Sequence, residues 1–163
     1  MPHILSFTKG PADWQRLLAD PSKHWRTGYS ARTLAHCWEA ADGFPTEVSL
    51  ALTQTSDPLL TGLVPLVAVP EFKVPLPGGT RSSQNDLFIS GRSLAGPVSI
   101  MVEGKVRESF GPTLEEWLKD PSPGKTRRLS FLTRALGLDQ VPPRYIGYKN
   151  VSRRPEVMHH GRA

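Results

Sequence analysis

The 163-residue chain predicts an α/β fold: a small mixed β-sheet flanked by helices. Three observations carry that prediction. The first third of the sequence holds apolar residues at helical spacing. The middle third is rich in β-branched residues with no helical period. The last part returns to an amphipathic helical pattern. Helices, then three strands, then helices is the order of a sheet covered on its faces. The length suits one domain with a core of its own, and the expected boundaries are 1–144 for the domain and 145–163 for a basic C-terminal tail. Sixteen prolines, about twice the average share, imply strands bounded by turns.

Taken in order, "PADWQRLLAD" reads as a short helix, with Pro11 in its first turn and Trp14, Leu17 and Leu18 on one face. "SARTLAHCWEAADG" is the clearest helix: Ser30 stands at the N-cap position, Leu34, Cys37 and Trp38 form an apolar stripe, and Gly43 stops it. Cys37 reads as a packed core cysteine. "FPTEVSLALTQT" places Val48, Ala51 and Leu52 at helical spacing. "GLVPLVAVPEFKVPLPGG" is Val-rich and broken by prolines, the mark of an extended strand or ribbon. "NDLFISG" is a short strand ended by Gly91, and "GPVSIMVEGKVRES" is the strongest strand in the chain. "TLEEWLKD" opens on a capping box, Thr113 with Glu116. "DPSPGK" reads as a turn. "TRRLSFLTRALGL" is an amphipathic helix with Leu129, Phe131, Leu132 and Leu136 inward and Arg127, Arg128 and Arg134 mostly outward. "NVSRRPEVMHHGRA" has no apolar period.

Charge is unevenly distributed. Residues 1–120 carry 11 Lys and Arg against 13 Asp and Glu, whereas residues 121–163 carry 9 against 2. A basic segment of this kind suits a polyanionic partner. No apolar run reaches the ~18 residues that span a bilayer, and the opening "MPHILSFTKGPADW" lacks the basic start of a secretory signal. A single cysteine excludes an internal disulfide. The expectation is a cytoplasmic protein with no membrane partner.

The chemistry concentrates in "QNDLFISGRSLAGPVSIMVEGKV". If its two strands pair through "GRSLAG", Asp86 falls opposite residues 102–104. Side chains alternate along a strand, so Glu103 and Lys105 would share one face, with Val102, Gly104 and Val106 on the other. Two convergent carboxylates suit a hard divalent cation, and the Gly104 carbonyl offers a third oxygen. A nearby ammonium can offset charge developing on a phosphodiester. The plain alternative for Glu103 and Lys105 is an exposed ion pair.

Asp86, followed after a gap by Glu103-Gly104-Lys105, resembles the signature of the PD-(D/E)XK nuclease superfamily, the restriction-endonuclease-like proteins. That family shares an α-β-β-β-α-β core, with the Asp near the start of the second strand and the (D/E)-x-K on the third. The resemblance covers roughly residues 30–140. It implies a Mg²⁺- or Mn²⁺-dependent phosphodiesterase with Asp86, Glu103 and Lys105 as catalytic residues. Asp86, Glu103, Gly104 and Glu39 would be the metal ligands, Glu39 from the preceding helix. Arg81, Lys125, Arg127, Arg128 and Arg134 would contact the nucleic acid, DNA or RNA, and a homodimer is one assembly it allows. Only "RYIGYKN" is placed to supply the final strand, so the C-terminal end of the core reads as incomplete. The rival is an inactive nucleic-acid- or protein-binding module on the same scaffold.

Overall fold

The structure, a computed structural model, describes residues 8–138. "RYIGYKN", the 145–163 tail and most of the basic C-terminal segment lie outside the described residues. The described chain is mixed α/β. In chain order it forms α1 (Pro11–Trp14), α2 (Pro21–His24), α3 (Ser30–Glu39), α4 (Thr46–Thr53), β1 (Val64–Val74), β2 (Ser83–Ser93), β3 (Gly96–Val102), α5 (Leu114–Trp117) and α6 (Pro123–Ala135). One-turn 3-10 helices follow α1 at Gln15–Leu17 and precede β1 at Pro58–Leu60. The sheet is antiparallel and three-stranded among the described residues, in the order β1-β2-β3, rather than the mixed sheet expected.

The chain divides into two compact units. The first takes residues up to Phe72 together with Asn85–Ser109, and so holds α1 to α4, β3 and most of β1 and β2. Its core is Trp14, Ala35, Trp38, Ala68, Leu87 and Ile89, with Leu34, Ile100 and Val102 packed at its edge. Along β2 the alternation is regular: Asn85, Leu87, Ile89, Gly91 and Ser93 are buried, while the residues between them are not. Leu87 and Ile89 are fully buried. That regularity is the period-2 signal of a strand with one covered face. The strand runs past Gly91, which had been expected to end it. A side chain at Gly91 would meet the Val64 carbonyl at 2.8 Å, so this glycine lets β1 approach rather than breaking β2. β2 and β3 pair from Leu87↔Val102 to Ser93↔Gly96, closing through a two-residue turn at Leu94 and Ala95.

The second unit takes Lys73–Gln84 and the chain from Phe110 onward. Leu114 and Leu132 are its buried centre, with Leu76, Leu129 and Leu136 packed around them. The Thr113–Glu116 capping box is present at the start of α5. α6 begins three residues before the expected "TRRL", because Ser122 caps it through Lys125 N–H at 3.2 Å and Pro123 occupies the first turn, where a missing N–H is harmless. The "DPSPGK" turn is therefore partly helix.

Several side chains depart from expectation. "PADWQRLLAD" forms one α-helical turn and one 3-10 turn, leaving Leu17 41% exposed. Cys37 is exposed, because Ala31, Ala35 and Trp38 define the inward face of α3. Phe131 lies outside the inward face of α6. Val106 is 51% exposed: β3 ends at Val102, so strand alternation no longer governs the residues beyond it.

Candidate functional site

The β2–β3 hairpin and the chain leaving it build the site. Asp86 sits on β2 between Asn85 and Leu87, both buried, so its side chain belongs to the opposite face of the strand. On that face Phe88 stacks on Phe72, ring centroids 4.7 Å apart. The last ladder pair is Leu87↔Val102, and one further step of that register sets Asp86 against Glu103. Strand pairing stops there, so Glu103, Gly104 and Lys105 lie past the end of β3 rather than on it as expected. The backbone turns toward Asp86, and the Gly104 N–H donates to Asp86 Oδ2 at 2.8 Å.

Leaving the strand changes what Glu103 and Lys105 can do. In a regular strand they would stand about 7 Å apart on one face. Released from it, the Lys105 ammonium pairs with Glu103 Oε1 and also donates to the Gly104 carbonyl at 2.9 Å. Both side chains are mostly covered, at 13% and 17% exposure, so this is not the exposed surface pair of the plain alternative. Gly104 is tightly packed. A Cβ there would fall 2.7 Å from Leu34 Cδ1 and 3.1 Å from both Leu34 Cγ and Ser30 Cβ. The segment is thus wedged against α3 on one side and tied to Asp86 on the other.

Glu108, which follows this segment, holds it in place. Its Oε1 accepts from both the Ser30 N–H and the Ser30 hydroxyl at 2.7 Å, and its Oε2 accepts from Val106 N–H at 3.0 Å and Arg107 N–H at 3.1 Å. Burial by itself would raise its pKa, but these hydrogen bonds to the charged form hold it at about 2. Tyr29, not Ser30, is the N-cap residue of α3, and Ser30 opens the helix itself. A distant carboxylate therefore supplies the cap, at the helix end that favours negative charge.

Glu39 is placed elsewhere. Its Oε1 accepts from Trp14 Nε1 at 2.6 Å and from the Thr8 hydroxyl at 2.8 Å. No group of three or more His, Cys, Asp and Glu side chains suited to a metal ion occurs among the described residues, so Glu39 does not join Asp86 and Glu103. The structure brings together Asp86, Glu103, Gly104 and Lys105.

The basic residues separate in a similar way. In the second unit, Arg81, Lys125 and Arg128 line one open cleft of about 280 Å³. Arg127 and Arg134 are exposed on α6 and do not line it. Arg128 donates to the carbonyls of Pro77 and Arg81 at 3.1 and 2.8 Å and to that of Leu76 at 3.4 Å. Lys125 Nζ donates to the carbonyls of Trp117 and Asp120 and lies 5.4 Å from the Trp117 ring centre. No helix among the described residues is long and apolar enough to cross a membrane.

A family model described as a domain of unknown function, DUF6946, matches residues 7–153, and the chain belongs to that family. Comparison with the curated proteins and with the solved structures returned no match.

Proposed function

We propose that this member of the DUF6946 family is a divalent-metal-dependent phosphodiesterase acting on nucleic acid, built on a restriction-endonuclease-like core. The observation that carries the reading is the Gly104 N–H to Asp86 hydrogen bond of 2.8 Å, which joins the acid of the second strand to the Glu103-Gly104-Lys105 segment after the third. The order of a helix, three antiparallel strands and further helices supports it.

The donor chemistry fits Mg²⁺ or Mn²⁺. Asp86 and Glu103 offer hard carboxylate oxygens, and Mg²⁺ is usually held by one or two carboxylates while keeping several waters. A cation bound there supplies Lewis-acid stabilisation of phosphate charge. The rest falls to the chain. Gly104 N–H fixes the orientation of Asp86. Lys105 orients Glu103 and presents an ammonium that can neutralise charge developing on the phosphodiester.

A second reading, a binding module without catalysis on the same scaffold, is favoured by one observation: Glu39 is committed to Trp14 and Thr8 instead of the site. Calorimetric titration of Mg²⁺ or Mn²⁺ into wild-type protein and Asp86→Asn, with a cleavage assay on labelled DNA and RNA, separates the two. Metal binding and cleavage that both disappear in Asp86→Asn support the enzyme. Wild-type protein that neither binds the metals nor cleaves leaves the binding module.

A further inference from the structure

We propose that the second unit carries its own phosphate site, a cleft that takes a terminal phosphate monoester. This inference is independent of the metal-dependent reading, since none of its residues belongs to the Asp86 site. The cleft of about 280 Å³ sits just below the range of ligand pockets, ~300–1,000 Å³. That is room for one phosphate and the sugar that bears it, and too little for a duplex.

Three cationic side chains, Arg81, Lys125 and Arg128, line the cleft, and no carboxylate does. Among the described residues none of the three forms an ion pair. The groups that hold Lys125 and Arg128 are backbone carbonyls. Carbonyls orient a cation without cancelling its charge. Lys125 uses two of its three protons on them, and the Nη1 end of Arg128 makes no bond to them. The Arg81 side chain is exposed and its own carbonyl is the acceptor for Arg128, so the loop that carries one cation is fixed by another.

The backbone shapes the cleft. Gly78, at φ +89°, lies so close to α6 that a Cβ there would come within 2.1 Å of the Gly124 carbonyl, and a Cβ on Gly124 would come within 2.3 Å of the Gly78 carbonyl. Only a glycine pair permits this approach, which sets the Gly78-Gly79-Thr80 backbone against the first turn of a 13-residue helix. The hydroxyl residues Thr80 and Ser122 complete the lining. Three uncancelled positive charges around one concavity favour a dianion over the monoanion of a phosphodiester, which selects the monoester. Such a group is found at the phosphorylated end of a nucleic-acid strand or on a small sugar phosphate.

The test uses the full chain in EDTA, so that the Asp86 site cannot contribute. Inorganic phosphate should raise the unfolding midpoint of wild-type protein beyond that seen with chloride at equal ionic strength. Arg81→Ala, which removes an exposed side chain and leaves the backbone clamp, should weaken phosphate binding about tenfold or more. Arg92→Ala, which removes an exposed arginine outside the cleft, should not. A 5′-phosphorylated trinucleotide that competes better than ribose 5-phosphate assigns the strand end as source, and the reverse order assigns the small molecule. A 5′-hydroxyl trinucleotide that competes as well as the phosphorylated one overturns the monoester assignment. A midpoint no higher in phosphate than in chloride, or an equal response in Arg81→Ala, overturns the site.

Discussion

Glu108 and Ser30, 78 residues apart in the chain, are joined by two hydrogen bonds of 2.7 Å, one from the Ser30 N–H and one from its hydroxyl. The other Glu108 oxygen gathers the N–H groups of Val106 and Arg107. One carboxylate thus fastens the start of α3 to the segment that leaves β3. On the same segment Gly104 presses against Ser30 and Leu34 and bonds Asp86. The Glu103-Gly104-Lys105 part of the candidate site is outside any strand, yet it is held by the helix on one side and by Asp86 of β2 on the other.

The Glu108 anchor predicts an acid sensitivity with a definite sign. Its folded pKa of about 2 lies below the ordinary value of 4.5. A depressed carboxylate contributes its full stabilisation above pH 4.5 and loses it as the pH falls from 4.5 toward 2. After discounting for solvent screening the contribution is on the order of 1 kcal/mol. Glu108→Gln keeps the shape and removes the charge. It should lower the urea midpoint at pH 7 and flatten the loss of stability across that acid window. Urea melts of both proteins from pH 2 to pH 7 check this, and superimposable curves would refute it.

Gly104→Ala should destabilise the protein by about 1–3 kcal/mol, the usual scale for overpacking. The added methyl would collide with Leu34 Cδ1 at 2.7 Å. Leu34→Ala removes the obstacle, so the double variant should lose less than the sum of the two single losses. A double-mutant cycle by denaturant unfolding measures that coupling. Additive losses would mean that Gly104 matters for some reason other than this contact.

Much of this arrangement was legible in the sequence, and the part that was not has identifiable causes. Counting back from the turn at "GRSLAG" set Asp86 opposite residues 102–104, and the observed register, continued by one step, puts it beside Glu103. The Thr113–Glu116 capping box was readable because both halves lie within one turn. The end of β3 was not readable: Glu103-Gly104-Lys105 alternates like a strand, and the contacts that accompany the departure, Gly104 with Leu34, Ser30 and Asp86, are all distant in sequence. The Glu108–Ser30 tie spans most of the domain, so no local pattern announces it. Glu39 sat at the expected place on its helix, but its partners, Trp14 and Thr8, come from a segment whose path the sequence does not give. The Gly78–Gly124 contact is of the same kind: two ordinary turn glycines become meaningful only when the backbone brings them together.

The Glu39 assignment is open to direct test. Glu39→Ala would leave the Trp14 N–H buried without its acceptor, in a side chain only 2% exposed. A loss of about 1–3 kcal/mol is expected, with a change in tryptophan fluorescence. Affinity for Mg²⁺ or Mn²⁺ should stay at the wild-type value. A folded variant with tenfold weaker metal binding would return Glu39 to the metal set.

The sharpest contrast lies between Lys105 and Glu103. They form one covered ion pair, so a purely structural role makes their truncations similar: each leaves the other charge poorly compensated, at a cost of several kcal/mol for a fully buried pair and less here. A catalytic role makes them differ. Lys105→Ala removes the ammonium and leaves both carboxylates, so metal binding should survive while cleavage falls about 10²-fold or more, the scale of losing one electrostatic stabiliser. Lys105→Met, which keeps most of the covered side-chain volume without the charge, should behave the same way and separates lost chemistry from lost packing. Glu103→Gln removes a charged ligand and should weaken metal binding and cleavage together. Calorimetric titration with Mn²⁺ and initial cleavage rates on the three variants measure both quantities. Lys105→Ala that loses metal affinity as fully as Glu103→Gln would show that the ammonium only holds the fold of the segment. Variants that both bind metal and cleave like wild type would remove Glu103 and Lys105 from the active site altogether.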